Sequence, residues 1–369
     1  MKKRFNVGLI GCGRISVKHI EGIAANYLEM NLCAVSDLIH ERMDRAISDY
    51  HHEIEKRGNI FANKKLKKYH DYQKLLKDKE IDIVIIGTES GYHASITVDA
   101  LNANKHVIVE KPMALSISEA RKMITVAKEK DLKLAVCHQN RFNPTIQHLK
   151  EAIDRGRFGK LVHAVASVRW NRNDHYYSMD NWHGTLALDG GILINQCIHN
   201  IDILRWFLGD IERVYAESDN FLRNIETEDA AMAVLRFKSG VIAVIEGTVC
   251  VYPSNLEETF NIFGEKGTVR IAGIALNQIK DWKFADSREG EENEMKRFSY
   301  ETESAYGYGH NLLFKDFLNA IKYNEKPLVD GEEGKKAIEL VLGIYKSAKK
   351  GKIINLPLDD YSTTSRVSR

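Results

Sequence analysis

The chain contains little cysteine and proline and no long apolar run. Its 369 residues include five cysteines, and the odd number without a Cys-x-x-Cys pair argues against a disulfide framework or a zinc site. No metal is therefore expected. No apolar stretch approaches the roughly 18 residues that a membrane span needs, and no signal-peptide core follows the basic N-terminus. We expect no membrane partner and a cytoplasmic location.

The chain also lacks a strong net charge of either sign. Lys and Arg number 53 against 51 Asp and Glu, which gives a formal net charge of +2. This balance provides no general attraction to a phosphate backbone, so nucleic acid is not an expected partner. At this length two domains are expected, because single cores rarely grow beyond about 250–300 residues.

Apolar strands and helical segments alternate through the first third of the chain. Strand-like runs lie near residues 5–10, 32–36, 81–86, 105–109 and 133–136. This alternation predicts a parallel sheet with helices on both faces. After Pro144, long alternating runs indicate an α+β region whose large open, mainly antiparallel sheet has one face available to a partner. We predict an α/β domain at 1–138, an α+β domain at 139–358 and a flexible tail at 359–369.

A glycine loop lies between the first predicted strand and the first helix. Its order, Gly-x-Gly-x-x-Ser, matches the turn with which a Rossmann domain binds the pyrophosphate of a dinucleotide. Asp37 ends the second strand 24 residues after Gly13, near the spacing of the acid that binds the adenine ribose. A carboxylate there favours NAD over NADP, although Asp37 alone is equally consistent with a helix N-cap. The loop residues expected to contact the cofactor are Gly11, Gly13, Arg14 and Ile15.

Glu110-Lys111-Pro112 follows another buried strand of the same predicted domain. The carboxyl ends of parallel strands form the crevice in which ligands bind. Lys111 is therefore placed to polarise a substrate oxygen or to relay a proton. Taken alone, a lysine at a strand end is about as often a surface residue whose ammonium reaches water.

A second polar segment follows Gly190 and Gly191. On a helix, Asn195 and His199 share a face because they are four residues apart, and Asp202 can lie nearby. A neutral imidazole near pH 7 can take the proton of an alcohol while hydride leaves its carbon. A single helical histidine is more often structural, but the glycine loop and Lys111 favour an oxidoreductase.

With Gln139-Asn140-Arg141-Phe142-Asn143-Pro144, these segments resemble the glucose–fructose oxidoreductase/inositol dehydrogenase/MocA (Gfo/Idh/MocA) family over nearly the whole chain. The resemblance implies a Rossmann domain, a second domain with a large open sheet, NAD as cofactor and a homodimer or homotetramer. It also implies that Lys111 and His199 are catalytic. Asn195 stands where many members have Asp, and Glu89 where many have Pro. The further cofactor contacts it implies are Thr88, His93, Glu110 and Lys111.

A narrower resemblance, over residues 157–285, is to the UDP-N-acetylglucosaminuronate 3-dehydrogenases. Its carriers include Tyr176-Tyr177, Trp182-His183-Gly184-Thr185 and Asn195-Gln196. It implies NAD-dependent oxidation of the C3 hydroxyl of a UDP-linked N-acetylhexosaminuronate for surface polysaccharide, with 2-oxoglutarate reoxidising the cofactor in some members. The alternatives are a polyol, inositol or free-sugar dehydrogenase, and a non-catalytic NAD(H)-sensing protein.

An anionic sugar nucleotide requires cationic and aromatic groups, and the sequence supplies both near the expected cleft. Arginine binds diphosphate or carboxylate through two N–H groups at once, and aromatic rings can stack on a base or a sugar. Each ring taken singly is more often part of a core. The residues expected to bind the substrate are Asn140, Arg141, Arg169, Arg172, Tyr176, Trp182, Asn195 and His199, of which Asn195 is also a catalytic candidate beside Lys111 and His199.

Overall fold

The computed structural model describes residues 4–58, 66–287, 289–302 and 307–366. The chain divides into two compact units. The first comprises residues 1–114, 118–137 and 310–335, and the second comprises residues 115–117, 138–309 and 336–369. Among the described residues, no helix combines the length and apolarity needed to cross a bilayer.

The first unit is built on a parallel sheet. Its strands are β1 (Phe5–Ile10), β2 (Met30–Ser36), β3 (Lys67–Tyr69), β4 (Ile83–Ile86), β5 (His106–Val109) and β6 (Leu134–Val136). The strand order is β3–β2–β1–β4–β5–β6, and every neighbouring pair is parallel. The sheet is the predicted doubly wound type, and its order changes direction between β1 and β4, where such sheets bind ligands.

Five helices connect these strands or follow them. They are α1 (Ser16–Ala25), α2 (His40–Glu55), α3 (Tyr72–Leu76), α4 (His93–Asn102) and α5 (Ile117–Glu129). Asp71 caps the N-terminus of α3, because its carboxylate accepts the N–H of Gln73 at 2.8 Å. Every residue of β4 is buried, as expected for a central strand covered on both faces.

The second unit contains an eight-stranded sheet. Its strands are β7 (Leu161–Arg169), β8 (Ile211–Asp219), β9 (Ala230–Phe237), β10 (Ile242–Thr248), β11 (Glu257–Gly264), β12 (Gly267–Gly273), β13 (Gln278–Phe284) and β14 (Ile354–Asn355). The order is β13–β12–β11–β7–β10–β9–β8–β14, and only the β7–β10 pair is parallel. The sheet is mixed and mainly antiparallel, so the predicted fold class is confirmed. In the sequence, apolar and polar residues alternate over 259–271. A turn at residues 265–266 divides this run into β11 and β12.

Helices cover one face of this sheet. They include α8 (Ile192–Asn195), α9 (Ile198–Leu208) and α10 (Glu291–Phe298), which contact β10, β7 and β13. The other α-helices described between residues 138 and 302 are α6 (Pro144–Asp154) and α7 (Asp174–Ser178). Ala231 and Ala233 of β9 are buried, whereas the alternate residues Met232 and Val234 are 61% and 54% exposed. The open face that the sequence predicted is therefore apolar along β9.

A late segment of the chain belongs to the first unit. Two helices follow residue 307: α11 (Gly309–Lys322) and α12 (Gly331–Lys350). The ring of Phe314 packs so closely on α1 that a Cβ at Gly22 would lie 3.1 Å from it, and Asn26 donates to the carbonyl of Asn311 at 3.2 Å. The sequence had assigned all of 139–358 to the second domain. The apolar residues of α11 repeat with a helical period in the sequence. This period does not show whether they pack in the core of the first unit or of the second.

Candidate active site

The glycine loop of the first unit has the geometry of a phosphate-binding turn. Gly11 has a φ of +89°, and a Cβ there would lie 2.5 Å from the carbonyl oxygen of Gly87. Only glycine allows the chain to pass this close to the end of β4. At Gly13 the opposite holds, because no described atom lies within 4 Å of the Cβ position. With the N-terminus of α1 at Ser16, the loop offers backbone N–H groups and open space to a pyrophosphate.

Asp37 lies against this loop. Its Oδ2 accepts the N–H of Cys12 at 2.8 Å, and its Oδ1 accepts the N–H of Ile39 at 2.9 Å. Each carboxylate oxygen can accept a further hydrogen bond, which suits the vicinal hydroxyls of a ribose. The N-cap residue of α2 is Ile39, so the alternative role of Asp37 as that helix's N-cap is not the one observed.

His93 joins the two loops that follow β4 and β5. Its Nδ1 lies 2.7 Å from the carbonyl oxygen of Pro112, and its Nε2 lies 3.0 Å from that of Thr88. The side chain is 1% exposed, and burial lowers the pKa of His93 although both carbonyls favour its charged form. His93 therefore joins the loops carrying Thr88 and Lys111, and its expected contact with the cofactor stays a prediction.

Glu110 directs its carboxylate into the interior of the first unit. Its Oε1 lies 3.2 Å from Nε2 of His19 and 3.9 Å from Nε2 of His310, and the Cys137 thiol lies within 4.8 Å of this carboxylate. Burial alone would raise the pKa of Glu110, but the neighbouring His19 and His310 imidazoles hold that pKa well below its usual value. Glu110 is thus an ionised carboxylate at neutral pH, and its Oε2 also accepts the N–H of Lys111 at 3.1 Å.

The half-buried Lys111 follows β5 at the same edge of the sheet as the glycine loop and Thr88. These segments follow β1, β4 and β5, which are neighbours in the sheet. Arg14 is exposed in the glycine loop, and the Ile15 side chain packs near Gly87, with its Cγ2 3.2 Å from the Cβ position of that glycine. The first unit therefore brings together the predicted nucleotide-binding residues and the lysine.

In the second unit, Asn195 is held by a buried carboxylate. Asp189 is 2% exposed; its Oδ1 accepts the side-chain N–H of Asn195, and its Oδ2 accepts the N–H of Gly184 at 2.8 Å. The sequence raised the concern that Asn195 replaces a carboxylate found in many relatives. Asp189, six residues earlier, supplies a carboxylate to the same side chain.

The single helix predicted to carry Asn195 and His199 is interrupted. Helix α8 ends at Asn195, and α9 begins at Ile198 after a turn at Gln196 and Cys197. This turn packs on β10 so tightly that a Cβ at Gly247 would lie 2.7 Å from Sγ of Cys197. The argument that the two residues share the face of one helix was therefore wrong, and packing against the sheet sets their orientation instead.

Two residues that the sequence analysis did not select lie beside His199. The Gln139 amide nitrogen lies 3.5 Å from Nε2 of His199, and the ring of His138 is perpendicular to that of His199 with centroids 5.6 Å apart. Both are buried. They directly precede Asn140, which was predicted to bind the substrate and is also buried. Their position beside Asn140 was the signal in the sequence that could have led to them.

Arg141 has a structural role in place of the predicted substrate contact. Its side chain is fully buried, its Nε donates to Oδ2 of Asp202 at 2.7 Å, and its Nη2 donates to Oδ1 at 2.6 Å. Burial opposes ionisation of Asp202, but Arg141 lowers its pKa below the usual value. The pair joins the segment before α6 to helix α9, which carries His199.

Arg169 and Arg172 have contrasting surroundings. Arg169 donates to Glu246 and Glu257, and these hydrogen bonds raise its pKa. It is thus engaged on the sheet rather than poised for an anion. The guanidinium of Arg172 lies over the rings of Trp170 and Tyr176 at 4.6 and 5.1 Å, and its buried Nε has no hydrogen-bond partner among the described residues.

An aromatic cluster adjoins the segment that carries Asn195. The rings of Trp182 and His183 stack with centroids 3.8 Å apart, and Tyr176 lies 4.6 Å from His183. Gln196 donates to the hydroxyl of Tyr176 at 3.4 Å. The second unit thus places Arg172, Tyr176 and Trp182 in one neighbourhood, which can present stacking surfaces and a cation to a ligand.

The first unit has a glycine loop with open space beside it, a carboxylate against that loop and a lysine at the same sheet edge, and the second has a half-buried histidine beside the Gln139 amide. These features define a nicotinamide-dependent oxidoreductase. Residues 5–138 match the model of the oxidoreductase family with an NAD-binding Rossmann fold, and residues 146–270 match that of the GFO/IDH/MocA C-terminal domain. The chain belongs to the Gfo/Idh/MocA family, and its cofactor is NAD.

Solved structures and curated relatives extend this comparison. The WlbA dehydrogenase of Bordetella pertussis, solved with NADH and UDP-GlcNAcA, is 35% identical and has a TM-score of 0.88, with 97% of this chain and 99% of that chain covered. The WlbA dehydrogenase of Chromobacterium violaceum, solved with the same ligands, is 33% identical with a TM-score of 0.86 over 97% and 98%. Myo-inositol 2-dehydrogenase of Thermotoga maritima is 27% identical over 356 residues, which are 95% of this chain and 98% of the relative.

The buried Arg141–Asp202 pair predicts a loss of stability without a change in ligand specificity. We expect Arg141→Met to lower the free energy of unfolding by about 3–5 kcal/mol, because Asp202 is left buried without its cation. The double variant Arg141→Met/Asp202→Leu should recover most of that loss. Urea denaturation measures both. A stable Arg141→Met protein with a raised KM for an anionic substrate would instead support the substrate contact.

The low pKa of Glu110 predicts a pH-dependent difference between the parent and Glu110→Gln. The parent carboxylate stabilises the fold above its unfolded pKa of about 4.5, and this contribution is lost as the pH falls toward the lower folded pKa. The stability difference should therefore be largest near pH 7, about 1–3 kcal/mol, and should shrink below pH 4.5. Urea titrations across this range test it, with the exposed Glu129→Gln as control. A stability difference between the parent and Glu110→Gln that does not change with pH would contradict the low pKa of Glu110.

Proposed function

We propose that this NAD-dependent dehydrogenase oxidises the C3 hydroxyl of a UDP-linked N-acetylhexosaminuronate to a ketone, in the biosynthesis of a surface polysaccharide sugar. The single observation that carries this choice is the 35% identity, over nearly the full length of both chains, to a dehydrogenase crystallised with NADH and UDP-GlcNAcA. The arrangement of Asp189 around Asn195 supports it, because it orders the segment that carries His199.

The proposed roles follow from the chemistry of each side chain. His199 takes the hydroxyl proton as general base, since an imidazole near neutral pH can be both unprotonated and basic. Lys111 donates a hydrogen bond to the reacting oxygen, which stabilises the negative charge that develops there. NAD, when bound, supplies the acceptor for the hydride. Asn195, fixed by Asp189, orients the sugar, and Gln139 orients the ring of His199.

Fewer residues of the second unit are proposed to contact the substrate than were expected from the sequence. Arg172 is retained for the diphosphate or carboxylate because its guanidinium is held by aromatic rings and not by an acidic partner. Tyr176 and Trp182 are retained as stacking surfaces, and Asn140 as a polar contact. Arg141 and Arg169 are not retained, because carboxylates already accept hydrogen bonds from Nε and Nη2 of Arg141 and from Nε, Nη1 and Nη2 of Arg169.

A polyol or inositol dehydrogenase is the second candidate. It is favoured by the 27% identity to myo-inositol 2-dehydrogenase over 95% of this chain. An NAD(H)-sensing protein without turnover is a third and requires that Lys111 and His199 be dispensable. We propose that the enzyme acts in the cytoplasm, and that 2-oxoglutarate can reoxidise its NADH.

The decisive experiment is incubation of the purified protein with NAD and UDP-N-acetylglucosaminuronate, with and without 2-oxoglutarate. We expect NADH absorbance to rise and the nucleotide sugar to lose two mass units, with the ketone located at C3 by NMR. In parallel, myo-inositol and free sugars are offered at the same concentration. Turnover of myo-inositol alone, by protein shown to bind NAD, would replace the first candidate with the second.

Substitution of the proposed reacting residues separates turnover from sensing. We expect His199→Gln and Lys111→Met to lower kcat by about 100-fold or more while NADH binding is retained. The exposed His52→Gln and Lys130→Met are matched controls that should behave like the parent. Variants that all match the parent would remove these residues from the mechanism.

We further propose that the open face of the sheet in the second unit forms a homodimer or homotetramer interface. This face carries a group of exposed apolar residues on neighbouring strands, beside charged residues such as Arg213 and Glu217; the apolar residues are Tyr215, Met232, Val234, Ile242 and Val244. An exposed apolar patch of this kind marks an interaction site more often than a free surface.

Charge on this face should dissociate the oligomer. We expect Met232→Asp/Val234→Asp to lower the mass measured by light scattering after gel filtration, because two carboxylates per protomer would be buried without partners. The exposed Leu312→Asp in the first unit should leave the mass unchanged. A monomeric parent, or a double variant that keeps the parent's mass, would contradict the proposed interface.

A further inference from the structure

The segment Thr363–Arg366 forms a 3₁₀ helix that is bound to the second unit by specific contacts. The Thr363 hydroxyl donates to the carbonyl oxygen of Leu186 at 2.7 Å, and the Thr363 N–H donates to that of Leu115 at 3.0 Å. Arg366 donates through Nη2 to the carbonyl oxygen of Gly190. The sequence had predicted a flexible tail at 359–369. Through residue 366 that tail has defined partners, and residues 367–369 lie outside the described part.

Arg366 is paired with a buried carboxylate. Its Nη1 donates to Oε2 of Glu228 at 2.6 Å, and its guanidinium lies 3.8 Å over the ring of Tyr345. Burial would lower the pKa of Arg366, but the Glu228 charge raises it. Glu228 is 5% exposed, so its charge depends on these partners.

The other oxygen of Glu228 binds the start of helix α8. Oε1 accepts the Tyr345 hydroxyl at 2.7 Å and the N–H of Leu193 at 3.1 Å. Burial and the Glu228 charge raise the pKa of Tyr345 well above its usual value, which keeps the phenol protonated as a donor. Glu228 thus connects Arg366 and Tyr345 to the first turn of the helix that ends at Asn195.

The Gly190–Gly191 turn lies directly against this cluster. The two residues have φ angles of +88° and +112°. A Cβ at Gly191 would lie 2.5 Å from Oε2 of Glu228 and 2.6 Å from the Tyr345 hydroxyl oxygen. Only glycine fits here, so the backbone entering α8 rests on the carboxylate with no side chain between them.

We propose that Arg366, through Glu228, is a positioning residue that clamps the Gly190–Gly191 turn and thereby sets the placement of Asn195 and His199. The assignment of a role to those two residues rests on the proposed function; the clamp itself does not. Arg366 contacts three points around one turn: the Gly190 carbonyl, the Glu228 carboxylate and the Tyr345 ring. Packing alone does not require directed hydrogen bonds to a carbonyl and a carboxylate, whereas fixing a backbone turn does.

The first experiment tests the clamp without any assumption about the substrate. Hydrogen–deuterium exchange followed by mass spectrometry compares the parent with Arg366→Ala, Arg366→Lys and a control, Arg155→Ala, whose exposed ion pair with Glu151 lies on α6. We expect Arg366→Ala to raise exchange about tenfold or more in peptides covering residues 187–199, with the strands of the sheet unchanged. Arg366→Lys should be intermediate, because lysine keeps the charge but not the planar fork. Unchanged exchange at 187–199 would overturn the clamp.

The second experiment tests the consequence for turnover. We expect Arg366→Ala to lower kcat by about 10- to 100-fold, the loss expected when a reacting group is displaced by about 1 Å, while the Kd of NADH changes less than about twofold. Millimolar guanidinium ion should restore part of kcat in Arg366→Ala, because it can occupy the vacated site beside Glu228. It should not affect the parent or Arg155→Ala.

The outcomes separate the clamp from the proposed function. Raised exchange at 187–199 with unchanged kcat would overturn the positioning role. Raised exchange with a lower kcat and guanidinium rescue would establish it. If the parent does not oxidise the nucleotide sugar, the proposed function fails, and the exchange experiment still decides whether Arg366 holds the turn. The kinetic comparison is then made with whichever polyol the parent oxidises.

Discussion

The cost of burying a carboxylate is the constraint on which the proposed site depends. Glu110, Asp202 and Glu228 are each 5% exposed or less, and an ionised carboxylate costs several kcal/mol to bury unless partners satisfy it. Each one has such partners: His19 and His310, Arg141, and Arg366 with Tyr345. A backbone shift that separated any of these groups would leave charge unpaired, so the pairs hold the local chain in one arrangement.

Each of these carboxylates contacts or belongs to a segment that carries a proposed functional residue. Glu110 precedes Lys111 and accepts its N–H, Asp202 follows His199 on α9, and Glu228 supports the turn before Asn195. The exposed or half-buried groups that would meet ligands are thereby mounted on elements whose positions are fixed from the interior. Sites require this kind of support, because small displacements of a reacting group have large effects on rate.

Residues whose role depends on local geometry could be selected from the sequence, whereas residues whose role depends on distant partners could not. Gly11, Gly13 and Asp37 were selected from spacing and Lys111 from its place at a strand end, because each belongs to a strand–loop unit whose geometry is local. Arg141 was assigned to the substrate because an arginine near a cleft suits an anion, yet Asp202, 61 residues away, accepts hydrogen bonds from its Nε and Nη2. His138, Gln139, Glu228 and Arg366 were not selected, since nothing in their neighbouring residues indicates what they contact.

The sequence by itself determined the class of fold, the cofactor and the family, because the alternation of strands and helices and the glycine loop depend on short-range geometry. Only the tertiary structure decided which charged residues are paired in the interior, where the helix carrying Asn195 ends, and that residues 310–335 pack with the first unit. These outcomes depend on partners distant along the chain. The physical reason is that a side chain's charge state and role follow from burial and pairing, which arise only when separate segments pack together.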